Sequence, residues 1–243
     1  LTSAAYLCRY GYRTLLCEKS YKTGGLVNTF RHQGYAFDAG IRAFENSGIL
    51  LPMLNSLGLE MNVAQNSVSI GIENKWTRLG SRDSLKSYAK MLAGIFPENE
   101  SDINKIVQEI QKVMDYMDVL YGIDNPLFLE DKKDSEYLLK TLLPWLFKYQ
   151  VNIRKASRLS KPVADYLKQF TNNQALIDMI VQHFFKDTPT FFALSYFGLY
   201  LDYLYPKGGT GVLAQTVTDY IRRAGGEILT NTAVTRVDTL QKQ

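Results

Sequence analysis

The chain has 243 residues, with 28 Lys and Arg against 24 Asp and Glu, 46 % hydrophobic residues and 12 % aromatics, which excludes a disordered chain and a small disulfide scaffold. The net charge, 28 − 24 = +4, is mild, and cations alternate with acids over most of the length, so nucleic acid is excluded as a partner. The longest uncharged run, Thr188 to Leu201, is shorter than the roughly 18 apolar residues that cross a bilayer. Cys8 and Cys17 sit among apolar neighbours, the pattern of two buried thiols in a reducing, cytoplasmic compartment.

In chain order, Leu1, Ala4, Ala5, Leu7 and Cys8 fall on overlapping helical faces, and Gly11 follows where a helix commonly closes. The run Arg13 to Cys17 predicts a short buried strand that stops at Glu18 and Lys19. Ser20 to Gly25 reads as a glycine turn, and Gly34 to Gly40 as a strand-like segment closing on glycine. Helix, strand and glycine turns in that order predict half of an α/β nucleotide-binding unit. Val68, Ile70 and Ile72 alternate with polar residues, as in a half-buried strand, whereas the stretch from about 84 to 204 has mostly helical period. The 3, 4, 3 spacing of Ile103, Ile106, Val107, Ile110, Val113, Met114, Met117 and Leu120 predicts one long helix over Ser101 to Tyr121. Pro162 opens a further helix carrying Val163, Tyr166, Leu167 and Phe170, and another is predicted from Asn173 to Phe185. An amphipathic helix from Val212 to Arg223 follows Gly208-Gly209-Thr210-Gly211, and Glu227 to Thr230 and Val234 to Val237 read as two closing strands. The expected organisation is an α/β part over residues 1–66, a mostly helical part over 67–204 and a return to the α/β part over 205–243.

A dinucleotide-binding unit needs an acid at the end of its second strand to accept from ribose hydroxyls, and Glu18 has that position. Glycine lets backbone approach a cofactor because no Cβ intervenes; Gly24, Gly25 and Gly40 read either so or as ordinary turn residues. His32, in a polar turn, and His183, after an apolar stripe, read as structural or solvent-facing. No spacing of Cys and His suggests a metal site, and no catalytic residue stands out. Leu142 to Tyr149 followed by Arg154, Lys155, Arg158, Lys161 and Lys168 suits a helix lying in an anionic membrane interface, or equally an aromatic core with a solvated basic face. The aromatics from Phe191 to Tyr205 read as core or as the wall of a channel.

Leu1 to Leu7, Gly11, Leu15-Leu16-Cys17-Glu18-Lys19, Gly24-Gly25 and Phe37-Asp38-Ala39-Gly40 together resemble the FAD-binding region of phytoene desaturase-like flavoproteins, the group of carotenoid desaturases, carotenoid isomerases and retinol saturases. Tyr205-Pro206-Lys207-Gly208-Gly209, Gly225-Gly226-Glu227-Ile228 and Thr232-Ala233-Val234 resemble that family's closing segment. The resemblance implies a Rossmann-like FAD-binding frame with a mostly helical inserted substrate domain, and an internal piece of a longer enzyme. It implies a redox or isomerising reaction on a hydrophobic polyene, with peripheral membrane contact; a flavin amine oxidase and a non-catalytic binding module that keeps the fold without the cofactor are the alternatives. Carried over, Glu18 would hold the adenosine ribose with Lys19 beside it, and Gly24, Gly25 and Leu26 would line the pyrophosphate. Gly40 and Ile41 would lie near the flavin, Val234 would pair with adenine, and Pro206, Lys207, Gly208 and Gly209 would border the substrate channel.

Overall fold

The computed structural model describes residues 1–45, 48–120, 123 and 135–238. The chain divides into two compact units. One comprises Leu1–Phe44, Met53–Gln65 and Leu204–Gln243, and the other Glu45–Pro52 and Asn66–Tyr203.

The first unit opens with helix α1 (Thr2–Arg9) and strand β1 (Leu15–Cys17). A hairpin follows, β2 (Thr29–His32) and β3 (Tyr35–Asp38), paired antiparallel with Phe30 opposite Phe37. The strand β2 was not expected. Its turn uses Gln33 and Gly34, both at positive φ (49° and 83°), the geometry that matches strand twist in a two-residue hairpin. The rings of Phe30 and Phe37 stack at 5.6 Å across the pair. Next, β4 (Phe44–Glu45) and α2 (Leu50–Ser56) lie where the chain passes from one unit to the other and back.

Strand β5 (Val63–Gln65) pairs antiparallel with β8 (Tyr203–Pro206), Ala64 opposite Tyr205. Helix α10 (Gly211–Arg223) then packs Ala214, Val217 and Ile221 in the same core as Ala4, Ala5 and Cys8 of α1. The last strand, β9 (Glu227–Leu229), pairs parallel with β1, Leu16 opposite Ile228. Leu15 is 57 % and Leu229 39 % exposed, an uncovered condition unusual for parallel strands, which are ordinarily buried on both faces. The second closing strand expected over Val234 to Val237 does not form; residues 233–238 have no ladder partner among the described residues. Cys8 is buried as expected, whereas Cys17, on the same strand as the exposed Leu15, is only half-buried; both thiols are free.

The second unit is built around one long helix. Strands β6 (Val68–Ile72) and β7 (Lys75–Leu79) form a hairpin that packs on α3 (Ser84–Ala93), and a 3-10 turn (Pro97–Asn99) leads into α4 (Glu100–Leu120). The seven buried residues of α4 are those of the predicted stripe, from Ile103 to Met117. Tyr121 lies outside the described residues. The chain continues as α5 (Ser135–Tyr137), a π-helical turn (Leu138–Leu142) and α6 (Leu143–Ser157).

Helices α7 (Val163–Leu167), α8 (Gln174–Val181) and α9 (Thr190–Leu199) complete the unit. Asn173 caps α8 by accepting from the Leu176 amide at 3.2 Å, and the helix ends at Val181, four residues before the predicted Phe185. Helix α9 packs on α4. Leu85, Tyr88, Leu92, Ile110, Leu194 and Phe197 are all fully buried in one continuous cluster, where each large side chain contributes about 1.5–3 kcal/mol. Of the α9 aromatics Phe197 is core, Phe191 and Tyr196 are half-buried, and Phe192 is 50 % exposed.

Candidate functional site

The acid at the end of β1 is fixed from both sides of the backbone. The Glu18 amide donates to the Leu229 carbonyl at 2.8 Å, and the Glu18 carbonyl accepts from the Thr232 amide at 2.9 Å, so the parallel pairing runs on past the ladder. Its side-chain Oε1 accepts from the Ser20 amide at 2.8 Å. That bond holds the carboxylate at the carboxyl end of parallel strands, the edge at which α/β sheets take their ligands. Lys19, next to it, is exposed, and Val234 is 62 % exposed in the segment after β9.

The following turn is anchored on α10. Thr23 and Thr218 share a buried hydroxyl–hydroxyl hydrogen bond of 2.8 Å, and the Asn28 side chain donates to the Thr23 carbonyl at 3.2 Å. Gly24 has φ +107°, and a Cβ there would stand 2.6 Å from the Ala214 Cβ. Gly24 is therefore required by packing. Gly25, at φ +57°, meets nothing within 4 Å and leaves its backbone open. A Cβ on Gly40 would stand 2.7 Å from the Leu26 Cβ, so the structure brings Leu26 and Gly40 together; Ile41, next in the chain, is half-buried.

At the end of β3, the Asp38 carboxylate collects four donors. Its Oδ1 accepts from the Thr29 hydroxyl at 3.1 Å, the Thr210 amide at 2.9 Å and the Thr210 hydroxyl at 3.0 Å. Its Oδ2 accepts from the Tyr205 hydroxyl at 2.8 Å. Burial pushes the Asp38 carboxyl up, but the bonds from Thr210, Tyr205 and Thr29 outweigh it and hold the group below the usual carboxylate range. The same bond to Asp38, with burial behind it, raises the Tyr205 phenol. Thr29 in turn accepts from the Gly211 amide at 2.9 Å.

Gly209 lies against this cluster at φ +98°, where a Cβ would collide with the Thr29 side chain. Of the segment read as channel border, Pro206 and Gly209 are buried against protein, while Lys207 and Gly208 are exposed. The cluster joins residues 167 to 182 positions apart, so along the sequence Asp38 shows only as part of a motif. Its local signal is an acid ending a strand before two small residues.

In the second unit, His183 sits among Tyr88, Phe184, Phe197 and Tyr200, with ring centroids 5.9 to 6.5 Å away. Burial lowers its pKa and favours the neutral imidazole. The Tyr88 hydroxyl, fully buried, has no hydrogen-bond partner among the described residues, and burial pushes its pKa up; burial also raises Tyr200, to about 12. His32 lies exposed on β2. Among the described residues no group of three His, Cys, Asp or Glu could hold a metal ion, and no helix is long and apolar enough to cross a membrane.

Over residues 1–243 the chain matches the family described as flavin containing amine oxidoreductase. The chain belongs to the flavin-containing amine oxidoreductase family. It is 27 % identical over 259 residues to the all-trans-retinol 13,14-reductase of Rattus norvegicus, covering 98 % of this chain and 40 % of that protein. Against the human enzyme of the same name it is 24 % identical over 251 residues, covering 98 % and 40 %. An inactive all-trans-retinol 13,14-reductase of Danio rerio is also 24 % identical, over 257 residues, covering 100 % and 41 %.

The chain thus spans about two fifths of the length of these curated relatives. An oxidoreductase from Methanosarcina mazei has the same fold, with a TM-score of 0.54 and 14 % identity over 95 % of this chain and 48 % of that one. A protein from Pyrococcus furiosus matches at 0.54 and 17 % identity, with the same coverage. These likenesses bear out the expected α/β fold, and membership of the flavin-containing amine oxidoreductase family implies a flavin.

Proposed function

We propose that the chain carries cofactor-binding and substrate-facing parts of an FAD-dependent oxidoreductase acting on a hydrophobic polyene isoprenoid, a retinoid or a carotenoid. The supporting observation is the match of the whole chain to a flavin oxidoreductase family whose similar members are named for reducing all-trans-retinol. In this reading residues 1–66 and 205–243 hold the cofactor and residues 67–204 take the substrate. A bound flavin would supply hydride transfer to or from a substrate carbon for a saturating or desaturating reaction, or redox-neutral assistance for an isomerising one.

The chain's own residues bind and orient. The Glu18 carboxylate, fixed by Ser20, is suited by charge and place to accept from ribose hydroxyls, with Lys19 beside it. Gly24, Gly25 and Leu26 line the pyrophosphate; the open backbone at Gly25 favours this. Gly40 and Ile41 face the flavin, and Val234 offers its main chain to adenine. The exposed pair Lys207 and Gly208 borders the substrate channel, with Pro206 and Gly209 as its buried base.

An FAD titration of the full-length protein, read by absorbance and flavin fluorescence, tests the cofactor. Glu18→Ala should weaken binding about tenfold or more, since a charge-assisted hydrogen bond contributes about 1.5–3 kcal/mol. Unchanged affinity removes Glu18 from the site. Anaerobic mixing of the reduced protein with all-trans-retinol tests the substrate class through flavin reoxidation. Reduction of the oxidised flavin by an amine, with no response to polyenes, would replace the polyene with the amine oxidase reading. A second reading, a flavin-holding member without turnover, is favoured by the similarity to a relative named as inactive. Bound flavin that responds to neither substrate class would select it.

A further inference from the structure

Strand β4 lies beside β8 in a three-stranded sheet, and its last residue, Glu45, falls in the helical unit together with Tyr203, the first residue of β8. Glu45 is half-buried, and among the described residues no cation or hydrogen-bond donor meets its carboxylate. Burial pushes this carboxyl above the usual carboxylate range. A carboxyl withdrawn from water without a partner costs stability, and such groups concentrate at sites that use them.

From Tyr203 the polar contacts lead to α9. The Tyr203 hydroxyl donates to the Tyr196 hydroxyl oxygen at 3.0 Å, which leaves the Tyr196 proton free to be donated, and none of the described residues accepts it. Burial, the bond to Tyr196 and the charge of Glu45 hold the Tyr203 phenol well above its usual range. Tyr200 stands edge-on to both tyrosines, its ring 5.1 Å from Tyr196 and 5.9 Å from Tyr203, outside the hydrogen-bonded pair. Beyond Tyr200 lie His183, at 6.3 Å, and Tyr88. Phe192, four residues before Tyr196 and 50 % exposed, packs 5.6 Å from its ring, so the Tyr196 end of the row adjoins an open aromatic surface.

We propose that Glu45, Tyr203 and Tyr196 form a proton relay for the saturation of a substrate carbon–carbon double bond, with Tyr196 as the terminal donor. The proposal rests on the polyene reading above. Saturating one double bond adds two electrons and two hydrogens: a hydride, of the kind a reduced flavin supplies, forms one C–H bond, and a proton forms the other as the π bond breaks. That proton leaves the Tyr196 oxygen. Tyr196 is restored from Tyr203, Tyr203 from Glu45, and Glu45 from solvent. Desaturation runs the path backwards, with the substrate proton passing inward to the Glu45 carboxylate. A positioned proton transfer of this kind contributes about 10²–10⁴-fold in rate.

The full-length protein, with its flavin reduced, is mixed anaerobically with all-trans-retinol, and flavin reoxidation is followed against pH. The rate should fall as the pH rises past the Glu45 carboxyl. Glu45→Gln and Tyr203→Phe should react about 100-fold more slowly and without that slope, while retinol affinity, read by fluorescence quenching, stays that of the parent. Glu45→Asp should recover part of the rate and the slope. Tyr200→Phe, which changes the same aromatic row outside the hydrogen-bonded pair, should react as the parent does. Without substrate, infrared spectra of the parent should show a protonated-carboxyl stretch that persists above the usual glutamate range, shifts in Tyr203→Phe and is missing from Glu45→Gln. An unaltered rate and slope in Glu45→Gln, an equal loss in Tyr200→Phe, or an infrared band that Glu45→Gln leaves in place would overturn the relay. A parent that retinol does not reoxidise removes the polyene reading and the relay with it, whereas a responsive parent with unaltered variants removes the relay alone.

Discussion

The unit built on α1, β1 and α10 and the unit built on α4 are stabilised in different ways. In the first, turns with positive φ at Gly24, Gly25, Gly208 and Gly209 are flanked by polar anchors: Asp38 and Thr29 accept from the Thr210 and Gly211 amides, Thr23 bonds Thr218, and Asn28 donates to the Thr23 carbonyl. In the second, fully buried apolar side chains from six elements form one cluster. Turns that expose backbone for a ligand cannot also cover themselves with apolar side chains, so their geometry must come from polar anchors. The helical unit has no such constraint and is stabilised by area.

The contrast is sharpest for Phe197, fully buried between Tyr88, His183, Phe184 and Tyr200. Phe197→Ala should cost about 3–5 kcal/mol, read as a lower urea midpoint of the helical unit. A cost below 1 kcal/mol would mean that the cluster collapses around the gap.

Asp38→Asn comes next, at about 2 kcal/mol, because an amide can accept from only part of the donor set. The loss should be local, seen as faster hydrogen exchange at the Thr210 and Gly211 amides. Because the folded carboxyl is more acidic than the unfolded one, its contribution is present above about pH 3.9 and fades as pH falls through the lower folded value. The Asn variant should lack that acid limb.

His183 should give the smallest effect. Burial depresses its folded pKa, so the unfolded chain takes up the proton first. Stability should be full above about pH 6.5 and decline as the pH falls toward the folded value, and His183→Phe should flatten that slope in urea titrations at pH 7 and pH 5. An unaltered slope would show that another group sets it.

Much of the helical unit was legible along the chain. The α4 stripe repeats at helical period, and periodicity directly reports which residues share a buried face, so Ile103 to Met117 could be read in advance. The end of α8 was not legible, because the apolar pattern continues through Phe184 while the backbone turns at Val181. Strand β2 was missed because its turn, Gln33-Gly34, lacks the Asn-Gly or Asp-Gly that marks a hairpin. Val234 to Val237 has a strand's composition, yet without a partner among the described residues no ladder forms. Composition proposes a strand; only a neighbour's N–H and C=O groups make one.

The sequence by itself determined the alternation of an α/β frame with a helical stretch, the acid after β1 and the position of each glycine turn, because these follow from local period and backbone preference. The tertiary structure alone decided what those residues touch. It made Gly24 a packing glycine against Ala214 and Gly25 an open one, although they are neighbours. It also brought Tyr205 and Thr210, more than 160 residues away along the chain, to the Asp38 carboxylate that Thr29 already bonds. Spacing along a chain carries no record of such a meeting, which depends on how β3, β8 and α10 pack within their unit.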